Sequence, residues 1–368
     1  MMKIEQHVDS VTCEVANRFS VRTTIFARLS EKRVYHAEIS GYGFGECLLG
    51  AKQRSLGEAI ERMAFFYSNK WCDIFLSNSY LIPEELYWMA HDEALKLEAR
   101  QYVLCINGES LNGELVHIPA VCAMTLPHND DAISRTSTGW AFHPNLSIAK
   151  EKALFEVIER DLNVRFWLGL MPPLGKISAS SIADIREIKT DSWSVETGVL
   201  AVHLYDKSIA YWVICAFVTN EAPYVAVGTA ISRTKEGALS SAFDEMVATR
   251  VYQFDRYLSP IDKYPDGDYA QHTWRACIDP KMPGMVMKNL TQKDEQELPS
   301  ISYVGRRILI SKLELPRQFE SFGHVVKAWV DGCAPLPALG QNYRVPIRST
   351  AKDIFAMDYS TIYTHPFA

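Results

Sequence analysis

The chain has 368 residues, 48% of them hydrophobic and 22% charged, which is enough apolar material for a sizeable core and excludes an intrinsically disordered chain. With 38 Lys and Arg against 44 Asp and Glu, the formal net charge is −6, which argues against a protein built mainly to hold nucleic acid. No run of about 18 apolar residues suggests a membrane span, and the opening MMKIEQHVDS has no apolar signal-peptide core. A cytoplasmic protein with neither membrane nor nucleic acid as its partner is expected.

In chain order, the first strong signal is a helix over about residues 55–70, preceded by the glycine-rich GYGFGE at 41–46. That stretch lacks the G-K-[ST] ending of a Walker loop and the strand-turn-helix setting of a dinucleotide fingerprint. The kinase signature set is also absent. An acidic helical stretch, PEELYWMAHDEALKLEARQ, follows, then VHIPAVCAMTL as a strand and the polar loop PHNDDAISRTSTG. A second helix is predicted over 147–168, where Ala149, Ala153, Leu154, Val157, Ile158 and Leu162 form one apolar stripe, with Asn145 or Ser147 to cap it. VLAVHLYD, YWVICAFVT and YVAVGTAIS then read as three successive strands, antiparallel because their connections are short. A third helix over 235–257 and strands at RRILISKL and HVVKAWV complete the reading. Strands that follow strands, with helices between the groups, predict an α+β fold with mostly antiparallel sheets, and no linker divides the 368 residues, so a single catalytic unit is expected. Eight cysteines without a C-x-x-C pair, several inside apolar runs (Cys122, Cys215), read as buried free thiols rather than a zinc site.

Two helices carry the same turn, GEAIERM with Glu58, Glu61 and Arg62, and EVIERD with Glu156, Glu159 and Arg160. Residues three apart are neighbours on a helix surface, so each pair sets two like charges side by side among apolar residues. A single copy is accounted for by an ordinary solvated helix face. Two copies suit Mg2+, a hard cation that takes oxygen ligands and bridges to nucleotide phosphates, with the arginines as forked donors to phosphate oxygens. Spacing alone reaches a possible Mg-nucleotide site and stops there.

Three segments together resemble the YcaO family: GFGECLLGAKQRSLGEAIER, TGWAFHPNLSIAKEKALFEVIERD and VAVGTAISRTKEGALSSAFDEM, in the family's order and spacing over about residues 41–257. The resemblance implies a YcaO-type fold whose helices carry paired glutamates, and an ATP- and Mg2+-dependent enzyme that activates peptide backbone amides. In its cyclodehydratase branch a Cys, Ser or Thr side chain of a ribosomally made precursor peptide attacks the preceding carbonyl, the oxyanion is phosphorylated, and phosphate leaves to give an azoline ring. It further implies Mg2+ and catalytic roles for Glu58, Glu61, Glu156, Glu159 and Glu245. Nucleotide contacts would fall to Ser55, Arg62, Ser137, Asn145, Arg160 and Arg233.

The chain departs from the family's pattern at Phe44, where many members have a lysine between two glycines, and at Ser241, where a basic residue is common. Ala248 replaces a glutamine, and Pro144 displaces Asn145 by one position. These changes bear on the phosphate contacts and leave the glutamates in place. The MAFFY and FHPN segments and the YTHPFA ending look most like microcin-type cyclodehydratase subunits, which work in a heteromeric complex with a ThiF-like peptide-recognition partner and often a flavin-dependent dehydrogenase. Two alternatives stay open. One is a thioamide-forming enzyme with a TfuA-type partner; the other is a catalytically weak scaffold subunit, favoured by Phe44 and Ser241 and opposed by the retained glutamates.

Overall fold

The structure is a computed structural model and describes residues 5–13, 18–28, 36–71, 75–85, 91–123, 138–177, 193–222, 224–257, 277–290, 298–313, 315 and 317–334. The chain opens with an antiparallel meander, β1 Glu5–Cys13, β2 Arg18–Arg28 and β3 His36–Gly45. In β2, Val21 and Thr23 are buried on either side of exposed Arg22, the alternation of a half-covered sheet, and Thr24 is buried too, beside Ile25. Helix α1 (Leu48–Trp71) follows, then β4 Phe75–Ser77, α2 His91–Glu98, β5 Val103–Ser110 and β6 Leu115–Pro119. β7 Trp140–His143 leads into α3 Leu146–Trp167. Then come β8 Trp193–His203, β9 Ile209–Thr219, β10 Val225–Ser232 and α4 Lys235–Tyr257. α5 Met282–Asn289, β11 Ser300–Ser302, β12 Ile308–Leu313, α6 Arg317–Glu320 and β13 His324–Val330 end the described chain.

These elements form two compact units. One comprises the described residues of Met1–Val157 and Arg307–Pro335. It holds the β1-β2-β3 sheet and a sheet in the order β4-β5-β12-β13-β7, with β6 paired to β5. α1 packs on β2 and β3 and also touches β7 and β13. Ile25 and Ile39 of the meander, Ile60 and Met63 of α1, and Trp140 and Trp329 of the larger sheet share one core cluster. Each such side chain contributes about 1.5–3 kcal/mol through burial.

The second unit begins at Ile158, inside α3, and runs to Arg306. Its sheet has the order β10-β9-β8-β11, antiparallel except that β11 runs parallel to β8. α4 packs on β10 and β9, burying Leu239, Phe243 and Val247, and the Phe166 and Trp212 rings meet with centroids 6.0 Å apart.

The α+β class and the antiparallel strands agree with expectation, and α3 and α4 fall within a residue of their predicted bounds. Three local readings are corrected. β1 to β3 were not anticipated, and the GYGFG glycines belong to β3. A Cβ at Gly41 would collide with the Ser55 carbonyl, and one at Gly43 with that of Ala51, so α1 lies directly on a strand stripped of side chains. α1 accordingly starts at Leu48, seven residues earlier than predicted, along the stripe Ala51, Ser55, Ala59. The strand expected through VHIPAVCAMTL ends at Pro119, which cannot donate to a ladder, and the chain turns into a 3-10 helix over Ala120–Cys122. Of the described cysteines, Cys105, Cys215, Cys277 and Cys333 are buried and free, as expected, whereas Cys122, also expected to be buried, is only partly so and Cys47 is exposed.

Candidate active site

The close approach of α1 to β3 aims Glu58 at the strand's backbone. The Tyr42 N–H donates to Glu58 Oε2 at 2.6 Å, and Arg62 pairs with Oε1 at 2.5 Å while donating to the Ser40 carbonyl at 2.8 Å. Burial raises the Glu58 carboxyl above its ordinary value, and Arg62 and the Tyr42 N–H pull the other way. Glu61, one turn on, is more strained. Burial, then Glu156, then Glu58 push it well above the carboxylate range, against Arg62 and a backbone N–H from Phe142 on β7. Glu61 and Glu156, predicted on separate helices, therefore do come together, and the repulsion their two charges would feel favours the protonated form of Glu61 until a cation is at hand.

The second unit repeats the device with different partners. Gly228 of β10 has no room for a Cβ beneath the Ala242 carbonyl of α4, and the next residue, Thr229, donates its N–H to Glu245 Oε2 at 2.7 Å. Burial raises Glu245, offset first by Arg160 of α3 and then by the Thr229 N–H. The Thr229 hydroxyl donates to Glu159 Oε1 at 3.1 Å. Glu159, Arg160 and Glu245 thus also belong together.

The remaining predicted residues divide. Ser55 is fully buried, its hydroxyl paired with Thr23 Oγ1 in the α1–β2 contact. Asn145 caps α3: its Oδ1 accepts from the Ser147 N–H at 2.9 Å and the Ile148 N–H at 3.2 Å, and its own N–H donates to His143 Nδ1 at 2.9 Å. Arg233 donates to Ser208 Oγ and lies 3.6 Å from Asp206 Oδ2 in an exposed cluster at the β8–β9 turn. Ser137 and the C-terminal YTHPFA lie outside the described residues. Tyr211 is half-buried beneath Lys235 and Trp212 fully buried, in keeping with core rather than ligand roles.

Several residues escaped the sequence reading. Arg54 Nη1 donates to the Phe44 carbonyl at 2.5 Å, which brings a guanidinium to the backbone of the position where the family's lysine is missing. Lys152 has its charged form disfavoured by burial and by Arg54 and favoured by Glu61, so a second cation stands near the acids. Lys152 precedes Glu156 by four residues on α3, a signal that periodicity offered. Asp161, the last letter of EVIERD, is fully buried and accepts from Tyr303 Oη at 2.7 Å and Arg165 Nε at 2.8 Å, anchoring α3.

The donor chemistry fits a hard divalent cation: half-buried carboxylates lie near enough to repel one another, a repulsion that positive charge would relieve. Among the described residues, no three His, Cys, Asp or Glu side chains are grouped closely enough to hold a metal ion by themselves. Mg2+ commonly takes one or two carboxylates and completes its shell with water and substrate phosphates, so the two observations agree.

An α+β chain that sets half-buried glutamates beside one another, with Arg62, Arg160 and Lys152 close by, has the makings of a nucleotide- and metal-dependent enzyme. The profile of the family described as YcaO cyclodehydratase, ATP- and Mg2+-binding, matches residues 42–296, and the chain belongs to that family of ATP-dependent enzymes. YcaO from Methanopyrus kandleri bound with AMPPCP and Mg2+ shares 16% identity, covering 89% of this chain and 85% of that one with a TM-score of 0.57. The E. coli microcin synthetase McbBCD complex with pro-MccB17 bound contains a chain with 16% identity, 99% and 96% coverage and a TM-score of 0.59. A heterocyclase in complex with substrate and cofactor shares 15% identity over 89% of this chain and 50% of its own, with a TM-score of 0.55. At these identities the likeness to solved structures is one of fold. A search of curated proteins gave no match.

Proposed function

We propose that this family member is a cyclodehydratase subunit that forms thiazoline or oxazoline rings from Cys, Ser or Thr of a ribosomally made precursor peptide. The observation that carries the reading is the close approach of Glu156 to Glu61 beside Glu58, all three half-buried. Such an arrangement weakens the fold unless a cation occupies it, and is hard to account for in a scaffold.

In this reading Glu58, Glu61 and Glu156 of one unit and Glu159 and Glu245 of the other serve Mg2+ and nucleotide, each cation taking one or two carboxylates and completing its shell with phosphate and water, while Arg62 keeps Glu58 aligned and Arg160 does the same for Glu245. Arg54 and Lys152 offer the positive charge that Phe44 does not. ATP, when bound, supplies the phosphoryl group that turns the amide oxygen into a leaving group, and Mg2+ the charge that makes its transfer feasible. The substrate's own thiol or hydroxyl would close the ring by adding to the amide carbon before phosphorylation, and departure of phosphate from the adduct, with loss of the nitrogen's proton, would leave the C=N bond of the azoline. The chain's contribution is positioning and charge neutralisation, with the acids held by backbone N–H groups of packed strands rather than by mobile loops.

A neighbour of this fold is found in the McbBCD complex with pro-MccB17 bound, which supports a peptide substrate and a heteromeric assembly here. We extend this to a ThiF-like partner that delivers the peptide, with a flavin-dependent dehydrogenase as a further member of the complex. Among the described residues no helix is long and apolar enough to cross a membrane. The test is incubation of the chain and its partner with precursor peptide, ATP and Mg2+, read by mass: loss of one water per modified residue supports ring formation. Exchange of oxygen for sulfur with a sulfur donor points to the thioamide branch, and an unchanged mass with intact partner points to the scaffold reading.

A further inference from the structure

We propose that Trp212, Asn163 and Thr229 form a directional hydrogen-bond relay that positions Glu159, and that Thr229, whose N–H also holds Glu245, is the positioning residue of the second acidic group. The inference rests on the nucleotide-site reading above. Its basis is a chain of donors whose direction is set at one end. Trp212 Nε1 can only donate, and it does so to Asn163 Oδ1 at 3.2 Å. That fixes the amide so that Asn163 Nδ2 donates to Thr229 Oγ1 at 2.9 Å. With a lone pair of its oxygen occupied, the Thr229 hydroxyl turns its own proton to Glu159 Oε1. The same residue's N–H holds Glu245 Oε2, so one threonine places two carboxylates from two helices.

Trp212 and Asn163 are fully buried and Thr229 is 4% exposed, so water offers the relay little competition and a misdirected amide would leave buried groups unsatisfied. Trp212 and Asn163 bond to one another and to Thr229, and none of the three has the chemistry to serve the reaction directly. What they can do is hold a carboxylate in one orientation before a cation arrives, which lowers the cost of ordering it on binding.

The experiment is calorimetric titration of the full chain with Mg2+ and a non-hydrolysable ATP analogue, for wild type, Thr229→Val, Thr229→Ser and Trp212→Phe. Each variant is checked by its melting temperature. Thr229→Val keeps the N–H and the volume but loses the hydroxyl, and is expected to weaken binding by about tenfold, the scale of one hydrogen bond to a charged group. Thr229→Ser should restore affinity to within about threefold, and Trp212→Phe, which frees the amide without touching the carboxylate, should fall between the two. Where Thr229→Val does not fold, Trp212→Phe carries the test. Binding unchanged in Thr229→Val, or lost equally in Thr229→Ser, overturns the relay and leaves the nucleotide reading standing. Absence of binding by the wild type overturns that reading and the relay with it.

Discussion

β3–α1 and β10–α4 are two versions of one arrangement, and their differences separate what the backbone does from what the side chains do. Gly41 and Gly228 each press a strand against a helix, and Glu58 and Glu245 follow their glycines at the same spacing in sequence. Gly50 and Ala51 recur in register as Gly237 and Ala238. In both, the residue after the glycine gives its N–H to the glutamate. Past that point they diverge. In the first version the cation, Arg62, stands one turn on in the same helix, where the second has Thr249, and Glu245 takes Arg160 from α3. The first adds Glu61 where the second has Ala248. A close strand–helix contact is thus sufficient to aim a carboxylate. Whether that carboxylate is settled or left in need of a cation depends on one further residue.

The largest test of this contrast is Glu61→Gln. It is expected to lower Mg2+-dependent ATP affinity by about a hundredfold, as loss of a charged ligand does. It should also raise the melting temperature of the metal-free chain by about 2–4 °C, because a buried like charge is gone. Glu245→Gln should weaken binding too but give a smaller thermal gain or none, since it deprives Arg160 of its counter-charge. Equal melting shifts from calorimetric scans of the two variants would erase the distinction.

Gly41→Ala and Gly228→Ala come next. Each places a methyl group against a helix carbonyl and is expected to cost at least about 2 kcal/mol in denaturant unfolding, and to weaken ATP binding by displacing the glutamate's donor. Stability near wild type in either would show that the contact is not needed.

pH should act on the first version more than on the second. Glu61 has a folded-state pKa raised above its unfolded value, so its contribution is fully present below about the ordinary 4.5 and is lost as pH rises through the raised value. Metal-free chain should therefore lose stability as pH climbs from that region, and Mg2+ with ATP should flatten the decline. A flat profile without Mg2+ would contradict the raised carboxyl. The smallest effect belongs to Asn145→Ala, which removes the α3 cap and should cost about 1 kcal/mol in unfolding while changing ATP affinity little.

What could be read in the sequence was local and periodic. The apolar stripe of α3 is buried throughout, and the β-branched runs of β8 to β10 are strands. The repeated E-x-x-E-R pointed to Glu61 and to both acids that gather around it, Glu58 and Glu156, because helical spacing is fixed by geometry. What was hidden is non-local. The meander was missed because β3 carries glycines where a strand ordinarily carries side chains, and the reason lies in the carbonyls of Ala51 and Ser55 on the facing helix. Thr229 is unremarkable in VAVGTAIS; its role comes from Asn163 and Glu159 far away in sequence. Arg54, which stands at the Phe44 backbone, could not be matched to the missing lysine without the fold.

The most direct measurement is calorimetric titration of Mg2+ with ATP into the wild-type chain and into Glu156→Gln. The account predicts saturable binding by the wild type and its loss, by about a hundredfold or more, in the variant, since Glu156 shares the crowded pocket with Glu61. Equal affinity in the two would contradict the paired glutamates as the nucleotide site, and no binding by either, with partner added, would leave a scaffold that keeps the acids without using them.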